Sequence, residues 1–271
     1  MKTYTRDEIK QRITHETDNG RALVIGNAGL GMTAKFIERG GADFLTINAP
    51  AYYQMRGYPP ITGCIAVTEC NELVIELAQR MKNIIKDTPV IAGIYCNERA
   101  YGDMTEYFER LKETGYSGVM TYPTAAMEEG VFRDYLESAS GLEMEMACMK
   151  RAKSQGLYTI GFAMDLADAV TVARAGLDAL VFSLGILKED VKMPVEEAVD
   201  RIRAVEKAIH EVSPGILLFV AGGPIRGAAE LKRIFEDTDA VGYMDGHFAL
   251  PLVISEPIAQ AAVSFKEKKL N

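Results

Sequence analysis

Short apolar runs recur along this 271-residue chain, separated by polar segments of helical period. The runs fall at 22–26, 43–48, 89–95, 117–122, 158–163, 178–183, 216–221 and 240–244. They are continuous rather than alternating, which marks strands covered on both faces, as in a parallel sheet. Helix-period segments lie at 32–40, 70–86, 103–114, 141–155, 166–175, 194–211, 227–237 and 254–268. Eight strand–helix units in this length predict an α/β fold, a single (β/α)8 TIM barrel over residues 22–268. A doubly wound open sheet is the competing architecture, but it more often carries fewer strands. Residues 5–17 predict an extra N-terminal helix that closes the bottom of the barrel.

One pattern repeats where helices hand over to strands. "ERGGADFLTINA", "KETGYSGVMTYP" and "ARAGLDALVFSLG" place Gly41, Gly115 and Gly176 where a left-handed helix cap is needed. Two connections are long, 49–69 and 123–140. In a barrel both lie at the strand C-termini, the face on which long loops carry function. The first is expected to act as a mobile lid. No linker or charge block divides the chain, so one domain is expected.

Composition narrows the partners. The chain is 48% hydrophobic and 25% charged, an ordinary globular balance. A net charge of −8 with no basic block argues against nucleic acid and anionic membranes, and leaves room for a small anionic substrate bound by local donors. Cys64, Cys70, Cys96 and Cys148 form no CxxC pair and the three histidines are scattered, which argues against zinc. Free thiols, no apolar signal core and no 18-residue apolar run predict a cytoplasmic protein that does not enter a membrane.

In a barrel, chemistry sits where strands end. Those positions hold Asn27, Gly29 and Gly31 after the first strand, and Asn48, Tyr52, Tyr53 and Arg56 after the second. Tyr95, Asn97 and Glu98 follow the third, Tyr122 and Thr124 the fourth, Asp165 the fifth and Ser183 the sixth. Gly222 and Gly223 follow the seventh, and Asp245, Gly246 and His247 the eighth. "GNAGLG" departs from the dinucleotide pattern G-x-G-x-x-G and reads as a tight turn whose N–H groups face an anion. The "AGGPI" corner offers the same chemistry, with Pro224 suited to a first helical turn and the helix starting near 225.

In this order, "GLGMTAKFIERGGADFLTINA", "YYQMRG", "TPVIAG", "GYSGVMTYPT", "GVFRDYLE", "LEMEM" and "AGGPI" resemble the phosphoenolpyruvate hydrolase-like TIM-barrel family. That family belongs with the phosphoenolpyruvate mutase/isocitrate lyase barrels. The resemblance implies a small 2-oxo acid or phosphonate-like substrate, lyase or hydrolase chemistry through an enolate-like intermediate, a divalent metal such as Mg2+, and a homo-oligomer. The chain departs from the superfamily in three places. It has no lysine–cysteine–glycine loop, "CNERAYG" stands where paired aspartates are expected, and "MDGHFALP" lacks the expected serine and arginine.

Each site residue has a structural alternative. Arg56 is read as a carboxylate clamp or a solvated loop arginine, and Tyr53 as a substrate contact or a loop anchor. Glu143 and Glu145 are two apart on a helix, so at most one faces the barrel mouth, and "LEMEM" favours Glu145. Asp165 is a base, a metal ligand or a helix cap, and His247 an acid/base or an exposed loop residue. Lys188 lies too far past its strand for a Schiff base. Two further functions stand beside metal-assisted chemistry, a metal-free aldolase and a non-enzymatic ligand-sensing barrel.

Overall fold

The computed structural model describes residues 1–59, 61–64, 69–96, 102–185, 193–245 and 260. Eight parallel strands close on themselves: β1 (Leu23–Asn27), β2 (Phe44–Ile47), β3 (Val90–Ile94), β4 (Gly118–Thr121), β5 (Tyr158–Ala163), β6 (Ala179–Ser183), β7 (Leu217–Ala221) and β8 (Gly242–Met244). Each pairs with the next, and β8 returns to β1 with Leu23 opposite Gly242 and Ile25 opposite Met244. The open sheet is thereby excluded, and all eight strands fall on the apolar runs.

The helices are α1 (Arg6–Asp18), α2 (Gly31–Arg39), α3 (Ala49–Met55), α4 (Ile61–Cys64), α5 (Cys70–Met81), α6 (Thr105–Thr114), α7 (Gly130–Ser140), α8 (Leu142–Ser154), α9 (Leu166–Arg174), α10 (Val195–Val212) and α11 (Ala228–Asp237). Gly41, Gly115 and Gly176 take positive φ of 85°, 107° and 70°, the cap conformation their positions call for. The two long connections are not simple loops. The first carries α3 and α4, and the second a 3-10 turn (Ala125–Met127) and α7. The apolar positions in "APAYYQM" and "VFRDYL" are too few to give a long helical period, which is why they read as loops. Apart from residue 260, the segment 254–268 lies outside the described residues.

Two apolar clusters sit on opposite faces of the sheet. The inner one fills the barrel with Leu23, Ile25, Phe44, Ile91, Met120, Tyr158, Ile160, Val181, Phe219 and Met244. Phe44 stacks on Tyr158 at 5.6 Å and meets Phe219 edge-on at 6.4 Å. Tyr4, Ile9 and Ile13 join this cluster from below, so α1 does close the bottom. The outer cluster packs α5, α6, α8, α9 and α10 against the alternate strand positions, such as Val90, Val119, Leu180 and Val220.

A buried ion pair fastens the bottom helix. Arg6 donates to Asp178 at 3.1 and 2.5 Å, and Asp178 also accepts from the Thr159 N–H and hydroxyl at 3.0 and 2.9 Å. Burial alone would raise the Asp178 carboxyl, but Arg6, Thr159 and Lys153 outweigh it and hold it below its ordinary value. A depressed carboxyl stabilises the fold above its unfolded pKa and loses that stabilisation as pH falls through its folded value. Asp178→Asn should therefore cost about 3 kcal/mol in urea unfolding at neutral pH. It should also flatten the loss of stability below about pH 4. An unchanged unfolding midpoint would show that the pair does not fasten α1.

Candidate functional site at the barrel mouth

The inward alternation of β1 and β2 turns polar at their C-terminal ends. Asn27 and Thr46 follow Ile25 and Phe44 on the inner face, and Asn48 lies just beyond β2. All three are at most 3% exposed, so their polar groups must find partners inside the protein. They find one another. The Asn27 carbonyl oxygen accepts from the Thr46 hydroxyl and, at 2.8 Å, from the Asn48 amide. The Asn27 amide donates to the backbone carbonyl of Asp245, just past β8. Asn48 also caps α3, accepting from the Ala51 N–H at 2.8 Å. One amide thus joins the exits of β1, β2 and β8.

Asp245 is the carboxylate at this junction. It is 7% exposed, its Oδ1 is buried with no hydrogen-bond partner among the described residues, and its N–H donates to Ile25 at 2.9 Å. Burial pushes its carboxyl up to about 7. A buried acid near neutrality at the C-terminal end of a barrel strand has the position and the pKa of an acid/base group. Asp245 was visible in the sequence as a strand-end residue, but nothing in the sequence revealed its burial. Its neighbour His247, like Asn97, Glu98 and Lys188, lies outside the described residues.

The glycine turns are closely packed. A Cβ on Gly29 would collide with the Ala51 carbonyl, and one on Gly31 with Ile84, so "GNAGLG" lets α3 and the β1 exit close on each other. Gly222 and Gly223 have φ of 68° and 59°. The Gly223 N–H donates to the Gly185 carbonyl at 2.8 Å, and a Cβ there would stand 2.5 Å from the Leu184 Cβ. "AGGPI" is a corner that locks the β7 exit onto the β6 exit. α11 begins at Ala228, so Pro224 precedes the helix rather than opening it, contrary to the sequence expectation. At the same rim, Ser183 is buried and its hydroxyl accepts from the Gly185 N–H at 3.2 Å.

The β4 exit is organised from behind. Tyr122 points into the barrel beside Phe162, at 5.3 Å between rings. Two residues on, the Thr124 hydroxyl and the Ala125 N–H donate to Glu145 at 2.6 and 2.8 Å. Glu145 is fully buried while Glu143 is exposed, the division expected of residues two apart on α8. Arg133 completes the cluster, donating to the Ala125 carbonyl at 2.7 Å and to both Asp168 oxygens at 3.0 Å. Sequence reasoning did not single out Arg133, although "GVFRDYLE" belongs to the resemblance.

The other sequence candidates have local partners. Asp165 is exposed and caps α9 by accepting from the Asp168 N–H at 2.8 Å. The exposed Arg56 donates to the Tyr52 hydroxyl at 2.7 Å, while Tyr53 lies edge-on to Tyr52 and Tyr58 at 5.5 and 6.2 Å. Among the described residues no three His, Cys, Asp or Glu side chains converge as a metal site.

Burial pushes Glu145 up to about 7, against the opposing pull of the Thr124 hydroxyl, the Ala125 N–H and Arg133. The sign follows from linkage. A buried carboxyl with a raised pKa is neutral in both states at low pH, and its cost appears as pH climbs from the unfolded value through the folded one. Stability should therefore fall between about pH 5 and pH 8, by up to about 3 kcal/mol from this group. Asp245 adds a slope in the same window. Glu145→Gln should remove its own part of the slope in denaturation curves taken across that range. Parallel curves for the two proteins would mean that Glu145 is ionised throughout.

Similarity to known proteins agrees with this architecture. A phosphoenolpyruvate phosphomutase from Streptomyces platensis subsp. rosaceus superposes with a TM-score of 0.64 at 15% identity, covering 95% of this chain and 87% of that one. A phosphonopyruvate hydrolase solved with oxalate and Mg++ superposes at 0.62 and 16% identity, again over 95% and 87%. Among curated proteins, the tomato (Solanum lycopersicum) ToMV resistance protein Tm-1(GCR237) is 28% identical over 94% of this chain, which spans 34% of that protein. A putative transcriptional regulatory protein of Sinorhizobium fredii is 25% identical over 97% of this chain, which spans 44% of it. A phosphoenolpyruvate hydrolase-like family model matches residues 8–267, and the chain belongs to that family.

Proposed function

We propose that the barrel mouth binds a small 2-oxo acid and moves a proton at its C3, passing through an enolate-like intermediate on the way to lyase or hydrolase chemistry. The observation that carries this reading is Asp245, a buried carboxyl pushed up to about 7, with an oxygen that has no partner among the described residues, at the mouth end of β8. As a carboxylate it takes a proton from C3, and as the acid it returns one. Asn27 is a positioning residue, since its amide holds the Asp245 backbone through a hydrogen bond that also ties in β2. Closed apolar layers beneath the mouth keep water from the reacting face. Mg2+ and a homo-oligomer are carried by the resemblance, and a cytoplasmic location by the four cysteines with no disulfide-like spacing. Among the described residues no helix is long and apolar enough to cross a membrane.

A second reading is a ligand-sensing barrel. The curated relatives are named for virus resistance and transcriptional regulation, and this chain spans 34% and 44% of two of them. Both readings require a ligand at the mouth, and only the first requires proton transfer.

Deuterium exchange at C3 of pyruvate, followed by NMR, separates them. The wild type should accelerate exchange over buffer, with and without added magnesium compared. Asp245→Asn should slow it by at least about 100-fold, while pyruvate still raises the melting temperature by mass action. Asn27→Ala should slow exchange as well, and its pH profile should shift because the Asp245 environment changes. Ligand protection without exchange in the wild type would favour the sensing barrel.

A further inference from the structure

An amphipathic helix on a barrel buries its apolar stripe and shows its polar one to water. In α7 the two are exchanged. Val131, Tyr135 and Ala139 are four apart and share one stripe, and that stripe faces solvent, with Val131 and Tyr135 each 69% exposed. The opposite stripe, Arg133, Glu137 and Ser140, faces the protein. Arg133 donates to the Ala125 carbonyl and to Asp168, and Glu137 accepts from the Leu142 N–H at 3.2 Å. The Ser140 hydroxyl pairs with that of Tyr95 at 2.6 Å, and Ser140 is the one buried residue of the helix. Polar bonds therefore fasten α7, and its apolar side is left for something else. We propose that this side is a docking surface for a basic amphipathic helix of a partner protein.

Shape is the first argument. Phe132, 46% exposed, leads from the outer stripe into a small cleft between α7 and the exits of β3 and β4, walled by Tyr95, Pro123 and Leu136. A stripe of apolar residues beside a cleft is what a helix with anchors at i, i+3, i+4 and i+7 fits, one anchor entering the cleft. A contiguous exposed apolar surface with a polar border is the mark of such an interface.

Charge is the second argument, and it selects the occupant. Glu129 and Asp134 are exposed beside the stripe, and Glu128 is on the cleft lining. Arg133 is the only cation between residues 125 and 141, and it is turned inward onto Asp168 and Glu137. The border is thus acidic. A second copy would bring the same acidic border, and like charges facing across an interface oppose docking. An anionic membrane is disfavoured in the same way. Lysines or arginines flanking an apolar stripe meet the border with opposite charge.

Fluorescence anisotropy on the full chain tests the proposal with a labelled Leu/Lys peptide of about 18 residues, apolar at i, i+3, i+4 and i+7. This peptide should bind. A scrambled peptide of the same composition and a Leu/Glu counterpart should each bind at least about tenfold more weakly. Val131→Gln combined with Tyr135→Gln should weaken binding at least about tenfold. The melting temperature should stay unchanged, because both side chains are exposed. Glu129→Gln combined with Asp134→Asn should weaken binding at low salt and flatten its salt dependence. No binding, equal affinity for the three peptides, or an affinity that the Val131 and Tyr135 changes leave intact would overturn the proposal. Two results would give the face to another occupant and overturn it as well. One is a wild-type dimer in sedimentation that those two changes dissociate. The other is tighter binding by a peptide of residues 254–271, which carries Lys266, Lys268 and Lys269 after an apolar run.

Discussion

The amide of Asn27 holds three strand ends together. Its oxygen takes bonds from Thr46 and Asn48, and its nitrogen gives one to the Asp245 backbone where the barrel closes. Closure is the constraint from which the rest of the mouth follows. A barrel has no edge strand, so the last strand must meet the first in register, and here β8 does so with only three residues. A short strand supplies few ladder bonds, and a side-chain amide at its exit adds one where it is most needed. The same bond places a carboxyl at the junction, in surroundings that withhold water from it.

Two buried carboxyls end near neutrality for different reasons. Glu145 is surrounded by donors, and its burial exceeds what Thr124, Ala125 and Arg133 give back. It shapes the β4 exit by holding the turn at Thr124 and Ala125. Asp245 is raised by burial, with an oxygen left unpartnered among the described residues. A carboxyl already bonded by an N–H and a hydroxyl is a poor proton carrier, because moving its proton breaks the turn that it holds. An unpartnered one has no such tie. On that difference the proposed acid/base role falls to the carboxyl at the seam.

Much of the fold was legible because its signals are local. Continuous apolar runs marked strands covered on both faces, and Gly115 and Gly176 marked the caps between them. The closing helix at the bottom was legible as an extra helical segment before the first strand. The site was less so, because its determinants are distances across the barrel. Nothing near Asn27 in the chain announces Thr46 or Asp245. Gly29 and Gly223 read as anion-facing glycines in sequence, and in space they also make room for Ala51 and Leu184. Asp165 was equally a cap or a base on sequence, and the structure gives it the cap. The short α3, α4 and α7 were missed since a few apolar residues cannot set a helical period.

The most direct test of the account is a crystal structure with oxalate, a planar mimic of the enolate of a 2-oxo acid. Oxalate should sit at the mouth within hydrogen-bonding distance of Asp245 in its protonated form, alongside the Ser183 rim. Oxalate bound away from the strand C-termini, or at the mouth with Asp245 turned into a partnered, structural position, would contradict it.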